Sequence, residues 1–150
     1  MQWESLILLL NDGLKELVRE HWDEAGIEGS VLDVDWPRYG LLEEHNVVRW
    51  MGHRKDGKLI GYASMSLTHP LHNRQDKTAL LDTIFLTKEH RQGLAGAKIV
   101  DEIEGHLKTE NADIFIIYER ERISRNGVGL GSILQRKGFR HYENGWMKRL

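Results

Sequence analysis

The sequence predicts an α/β fold of mixed α+β character, with a central, mostly antiparallel sheet flanked by helices. Three observations carry this expectation. Two runs of strand type are separated by Asp56-Gly57, a pair that readily supplies the positive backbone angles of a tight hairpin. The apolar run Leu80 to Leu86 is followed by a Gly-rich turn and by Ala97, Val100, Ile103 and Leu107 at helical spacing, with charged residues between them. After that helix comes a buried-type run, Asp113 to Tyr118, placed as the parallel partner in a βαβ crossover would be.

Taken in order, Leu6, Leu9, Leu10, Leu14, Leu17 and Val18 form one apolar stripe, opposite Asn11, Asp12, Lys15, Glu16, Arg19 and Glu20. This predicts a single helix lying on a core. Gly26 to Asp33 reads as a loop able to overhang a substrate site. Asp35, with Pro37 soon after, starts a second short helix over Trp36 to Glu44. Val47 to Arg54 and Leu59 to Leu67 are the hairpin strands, joined through Lys55-Asp56-Gly57-Lys58. A polar connection, His69 to Asp76, leads to the central strand. The long helix is expected to end near Glu110-Asn111, and Glu119 to Asn126 to be a charged connection. Gly127 to Lys137 is a short helix, Gly138 to His141 starts another strand, and Asn144-Gly145 turns the chain into a terminal hairpin with Trp146 to Leu150.

At 150 residues with 40% hydrophobic content, the chain is read as one domain, 1–150. A formal net charge of -2 argues against general affinity for nucleic acid or anionic membranes, and points to a small-molecule or protein partner. The absence of cysteine excludes disulfides, thiolate metal sites and a cysteine nucleophile. Leu6 to Leu10 has no basic segment before it and is soon interrupted by polar residues, so neither a signal peptide nor a membrane span is expected, and the reading is cytoplasmic. His69-x-x-His72 lacks a convincing third ligand, so no metal is expected. Gly127-x-Gly129-x-Gly131 resembles a dinucleotide loop, but the chain has no room for the rest of such a unit.

The chemistry-bearing stretch is Arg91-Gln92-Gly93-Leu94-Ala95-Gly96-Ala97, set between strand and helix. A helix beginning in such a turn presents backbone N–H groups without intrahelical partners at the positive end of its dipole, a ready anion site. On its own the turn is more readily read as a tight turn whose glycines serve geometry alone.

That order of elements, with Arg91 to Gly96 and the phrase Gln135-Arg136-Lys137-Gly138-Phe139, resembles the GNAT superfamily of acyl-CoA-dependent N-acyltransferases. The tail, Lys137-Gly138-Phe139 with Glu143 and Trp146 to Leu150, is similar to small GNAT proteins of bacteriophage genomes. The resemblance implies a GNAT-like sheet splayed at an acyl-CoA cleft. It also implies a turn of the form Arg/Gln-x-x-Gly-x-Gly/Ala whose amides hold the pyrophosphate of coenzyme A. Arg91 and Gly96 fill the first and last places, Leu94 stands at the middle glycine, and Gly93 lies one place earlier. The implied donor is acetyl-CoA or another acyl-CoA, bound by Ile84, Phe85, Leu86, Arg91, Gln92, Gly93, Leu94, Ala95, Gly96 and Ala97, with its pantetheine arm docked as a pseudo-strand.

The acceptor is expected to be an amine of a protein or small molecule. A lysine-type amine has a pKa of roughly 10.4, so attack needs a proton acceptor. Asp82, which interrupts the apolar strand, is the expected base, with His69, His72 and Glu119 behind it. The resemblance implies that the Leu86 backbone N–H polarises the thioester carbonyl. It places a tyrosine acid four residues before the Gly-Phe pair, where this chain has Leu134; Tyr118 is the expected substitute, with Ser132 behind it. Arg120, Arg122 and Arg125 are read first as a solvated loop, and otherwise as reaching an adenosine 3'-phosphate or an acidic partner. The second functional reading is a GNAT-fold module that binds a host or regulatory protein, and a homodimer is compatible with the exposed sheet edge.

Overall fold

A computed structural model describes residues 1–119, 130–145, 147 and 148. The chain divides into two compact units, Met1–Tyr118 and Glu119–Leu150.

The first unit holds a five-stranded sheet in the order β1-β2-β3-β4-β5: Gln2–Trp3, Val48–Lys55, Lys58–Thr68, Thr78–Leu86 and Ile114–Ile117. Neighbouring pairs are antiparallel except β4 with β5, which is parallel, so the expected mixed, mostly antiparallel sheet is present. The β2–β3 hairpin turns through Asp56 at φ 50° and Gly57 at φ 80°, the left-handed pair anticipated from Asp-Gly. The short β1, which pairs Trp3 with Met51, is an addition to the expected elements.

The predicted single N-terminal helix is two helices, α1 (Leu6–Asn11) and α2 (Leu14–Ala25). The break is at Gly13, whose φ of 98° only glycine adopts without strain. The apolar stripe survives the break because Leu6 and Leu9 from α1 and Leu14 and Leu17 from α2 are all buried in one cluster. Helix α3 spans Trp36–Glu44 as expected, with Asp35 accepting from the Arg38 N–H at 3.0 Å. Its other end is tied to α1 by the Glu43 carboxylate, which accepts the Leu6 N–H at 2.9 and 3.1 Å. These three helices cover one face of the sheet with Leu9, Leu14, Leu17, Trp50, Tyr62 and Phe85 between them.

Helix α4 (Ala95–Thr109) packs Ile99, Ile103 and Leu107 with Met51, Ala63, Met65 and Leu81. Leu9, Leu14 and Ile103 are fully buried, each contributing about 1.5–3 kcal/mol by leaving water. Gly61 is needed between β3 and β4, because a Cβ there would sit 2.6 Å from the Phe85 carbonyl oxygen. Gly61→Ala is therefore expected to cost about 1–3 kcal/mol by overpacking, read as a lower midpoint in thermal unfolding.

In the second unit α5 covers Leu130–Arg136. The expected strand at Gly138 to His141 is not found: residues 138–145 contain no strand, and the returning arm of the expected hairpin lies largely outside the described residues. Gly138, at φ 86°, instead ends α5 in the left-handed conformation, and Phe139 N–H donates to the Leu134 carbonyl at 3.0 Å. The Gly-Phe phrase is a helix cap, and a glycine after a helix is as good a stop signal as a strand signal. Arg120, Arg122, Arg125, Gly127, Gly129 and Trp146 lie outside the described residues.

Candidate active site

The central strand β4 changes character halfway along. Ser64 of β3 pairs with Thr83 and Met65 pairs with Leu81, so Asp82 is an extra residue without an opposite number, a β-bulge. A bulge reverses the two-residue alternation of a strand. Before it, Ala79 and Leu81 face the α4 side; after it, Ile84 and Leu86 do so, and Phe85 faces α1 and α2. At the same point the parallel neighbour is lost, since β4 pairs with β5 only from Thr78 to Leu81. Within this unit the β4 edge from Asp82 to Leu86 has no β5 partner.

The direction of the backbone groups on that edge follows from one hydrogen bond. Thr87 N–H donates to the Ile60 carbonyl at 2.9 Å, so Thr87, Phe85 and Thr83 turn their backbone groups to β3. By alternation Ile84 and Leu86 turn theirs to the open side. The Leu86 carbonyl there accepts from Arg91 Nε.

Asp82 is exposed, and its carboxylate is held from two elements. Tyr39 Oη, one turn into α3, and Ser64 Oγ, on β3, each donate to Asp82 Oδ2 at 3.4 Å. Ser64 Oγ is also 2.6 Å from Thr83 Oγ1. Burial first, then the facing Asp82 charge, push the Tyr39 phenol above its ordinary value. Tyr62, buried beneath, is pushed up for the same first reason. Tyr62 Oη lies 2.8 Å from His21 Nδ1, and His21 stacks on Phe85 with ring centroids 5.0 Å apart. Trp36, Tyr39, Trp50 and Tyr62 make an aromatic wall beside the carboxylate, Tyr39 and Trp50 meeting edge to face at 5.1 Å.

Tyr118 follows β5. Ile117 with Leu81 is the last pair of the parallel ladder, so Tyr118 and Asp82 are each the first residue beyond it and flank the mouth of the gap. Tyr118 is 58% exposed. Leu134, at the expected acid position, is buried, and Ser132 sits on α5. His69 and His72 are exposed on their loop. Among the described residues no group of three His, Asp or Glu is placed to hold a metal ion, and no helix is long and apolar enough to cross a membrane.

The Gly-rich turn ends in the start of α4. Its positive φ falls on Gly93, at 61°, with open space where a Cβ would be. Leu94 has φ −94°, a backbone that needs no glycine, and its side chain is 72% exposed. Leucine at this place therefore leaves the turn intact. No side chain caps α4, so the N–H groups of Gly96 and Ala97 stand at the positive end of the helix without a capping side chain.

Arg91, expected to offer its charge to phosphate, already has a partner. Its guanidinium grips Glu24 at the end of α2 with contacts of 2.6 and 3.0 Å and lies over the Phe85 ring, 4.9 Å from its centroid. Lys88 joins Glu24 at 3.6 Å, and the hydrogen bond from Arg91 holds the Glu24 carboxyl below its ordinary range. Tyr39, Ser64 and Glu24 were not foreseen as site residues. A serine inside the apolar run Tyr62-Ala63-Ser64-Met65 was a readable signal; the other two had none.

A hollow of about 220 Å³ lies on the α4 side, bounded by Ile60, Leu86, Ala95, Ile99, His90 and Lys98 among others; Asp82 does not line it.

In a sequence comparison, the model of the acetyltransferase (GNAT) family fits residues 11–123. The chain belongs to this family. GNAT membership makes it an acetyltransferase and accounts for the order of sheet, turn and α4. No curated protein matches the sequence. Solved structures share the fold at low identity. Ribosomal-protein-alanine N-acetyltransferase from Brucella melitensis biovar Abortus 2308 has TM-score 0.67 and 13% identity, covering 94% of each chain. Glucosamine-6-phosphate N-acetyltransferase from Arabidopsis thaliana has TM-score 0.68 and 14% identity, covering 99% of each. A predicted acetyltransferase with acetyl-CoA from Clostridium acetobutylicum has TM-score 0.61 and 12% identity, covering 97% of this chain and 89% of that one.

Proposed function

We propose that the chain transfers an acetyl group from acetyl-CoA to the nitrogen of an amine by direct attack, without a covalent enzyme intermediate. The observation that carries this reading is the coincidence, on one strand, of an exposed carboxylate and an open backbone edge that leads to an uncapped helix start. The acetyl-CoA in the Clostridium acetobutylicum structure supports the choice of donor.

In this reading the amides of Gly93 to Ala97 hold the pyrophosphate, and the Ile84 and Leu86 backbone groups pair with the pantetheine arm as a strand would. The Leu86 N–H stabilises negative charge as it develops on the thioester oxygen. The acceptor nitrogen attacks the carbonyl carbon, the C=O pair moves to oxygen, and the nitrogen becomes strongly acidic once bonded to carbon. Asp82 then takes its proton, directly or through water. As the carbonyl reforms, the C–S bond breaks, and the departing thiolate takes a proton from Tyr118 or from water. By name the related proteins above are N-acetyltransferases of ribosomal-protein alanine and of glucosamine-6-phosphate, which supports reading the acceptor as an amine of a protein or small molecule.

A thermal-shift titration tests the donor. At a hundredfold its dissociation constant acetyl-CoA is expected to add about 2.7 kcal/mol, and an amine panel should then release CoA. No shift at millimolar acetyl-CoA or CoA overturns the donor assignment. A shift without CoA release from any amine or cell extract favours the binding-module reading.

A further inference from the structure

We propose that Tyr39 is a positioning residue for the proton acceptor, holding one carboxylate oxygen of Asp82 so that the other faces the incoming amine. This rests on the acetyl-transfer reading above and goes beyond it.

Both hydroxyls that reach Asp82 converge on Oδ2: Tyr39 Oη from α3 and Ser64 Oγ from β3, each at 3.4 Å. Oδ1 receives neither, and is left as the oxygen that takes the proton. Ser64 has a single hydroxyl hydrogen; if it is spent on Asp82, the 2.6 Å contact with Thr83 must be donated by Thr83. The donors thus run Thr83 to Ser64 to Asp82 on one side, with Tyr39 to Asp82 on the other. At 3.4 Å the two bonds to Asp82 are long in the resting structure, as bonds at a site awaiting substrate often are.

A bulged residue is otherwise poorly held. Asp82 has no pair in β3 and none in β5. Its orientation therefore depends on side-chain partners, and Tyr39 is the one brought from a different layer. Tyr39 is itself fixed: it follows the Asp35 cap by one turn, with its N–H bonded to the Asp35 carbonyl at 3.1 Å, and its ring meets Trp50 edge to face. Beneath Tyr39 on this face, Tyr62 from β3 and His21 from α2 bond to each other, and beyond them the charged pair of Arg91 and Glu24 lies against Phe85. The raised value of the Tyr39 phenol means that it stays a donor throughout the working pH range.

The test compares Tyr39→Phe, Ser64→Ala and Asp82→Asn with the unaltered protein, using acetyl-CoA and the best amine from the panel. Tyr39→Phe removes one oxygen and keeps the ring. It is expected to lower kcat roughly tenfold, the worth of one hydrogen bond to a charged group, with KM for acetyl-CoA held. Tyr39→Phe added to Asp82→Asn should cost nothing further, because no proton acceptor is left to orient. Ser64→Ala should lower kcat in the same way and gives an independent arm. Unaltered kcat in both variants, with Asp82→Asn inactive, overturns the role of Tyr39 while leaving Asp82 as the base. An active Asp82→Asn removes the base reading and this inference with it.

Discussion

Asp82→Asn is expected to lower kcat by roughly two to four orders of magnitude, the range for removing a general base, while acetyl-CoA binding and thermal stability stay close to those of the unaltered protein. The separation follows from where the residue sits. Its side chain is exposed and outside both core clusters, so the fold has little to lose. The donor is read as bound by the backbone of Ile84, Leu86 and the turn at Gly93 to Ala97, none of which the substitution alters. What changes is that a carboxamide cannot take a proton. The effect should persist at high pH unless bulk hydroxide replaces the side chain, because there too a carboxamide has no oxygen basic enough to take the proton. Steady-state kinetics across pH, together with an acetyl-CoA thermal shift on the same variant, separate the outcomes. Full kcat in Asp82→Asn overturns the assignment of the base; lost acetyl-CoA binding shows that the bulge, rather than the carboxylate, was disturbed.

The parts of this site legible in the sequence were those set by local chemistry. Asp56-Gly57 dictates its own turn, and Asp82 stands out because a carboxylate interrupts an apolar strand. The Gly-rich turn is legible as the entry to an amphipathic helix, and α4 begins there. What could not be read is whatever depends on register or on distant partners. The bulge at Asp82 exists only in relation to Ser64 and Met65 of β3, and no local signal marks it. Tyr39 meets Asp82 from 43 positions away, and Glu24 meets Arg91 from 67. Leu94 illustrates the converse. Judged against the family pattern it departs from a glycine, yet the positive φ is carried by Gly93 and Leu94 takes an ordinary backbone. The Gly-Phe phrase was similarly ambiguous, since the glycine that stops α5 can be read as the start of a strand.

Arg91→Ala and Glu24→Gln are expected to shift CoA affinity in opposite directions. If Arg91 contributes a charge-assisted bond to the pyrophosphate, its removal weakens CoA binding by roughly tenfold or more. In the structure that guanidinium is occupied by Glu24, so phosphate must compete with a carboxylate. The pair lies partly exposed, with 37% of the Arg91 side chain and 23% of the Glu24 side chain accessible, so the competition is worth only about 0.2–1 kcal/mol. Glu24→Gln keeps the shape of the side chain but not its charge, and should tighten CoA binding by up to about fivefold. S-acetylpantetheine, which lacks the phosphates, should bind both variants like the unaltered protein. Proton linkage gives a second reading of the same competition. The Glu24 carboxyl is held below its ordinary value by the Arg91 hydrogen bond, so the bridge contributes stability above the unfolded value and loses it as pH falls through the folded one. Across that acid window, CoA affinity of the unaltered protein should converge on that of Glu24→Gln. Isothermal titration at neutral and acid pH measures both effects. Equal CoA affinity in all three proteins would mean that Arg91 serves to clamp α2 over Phe85, and that backbone amides alone hold the phosphate.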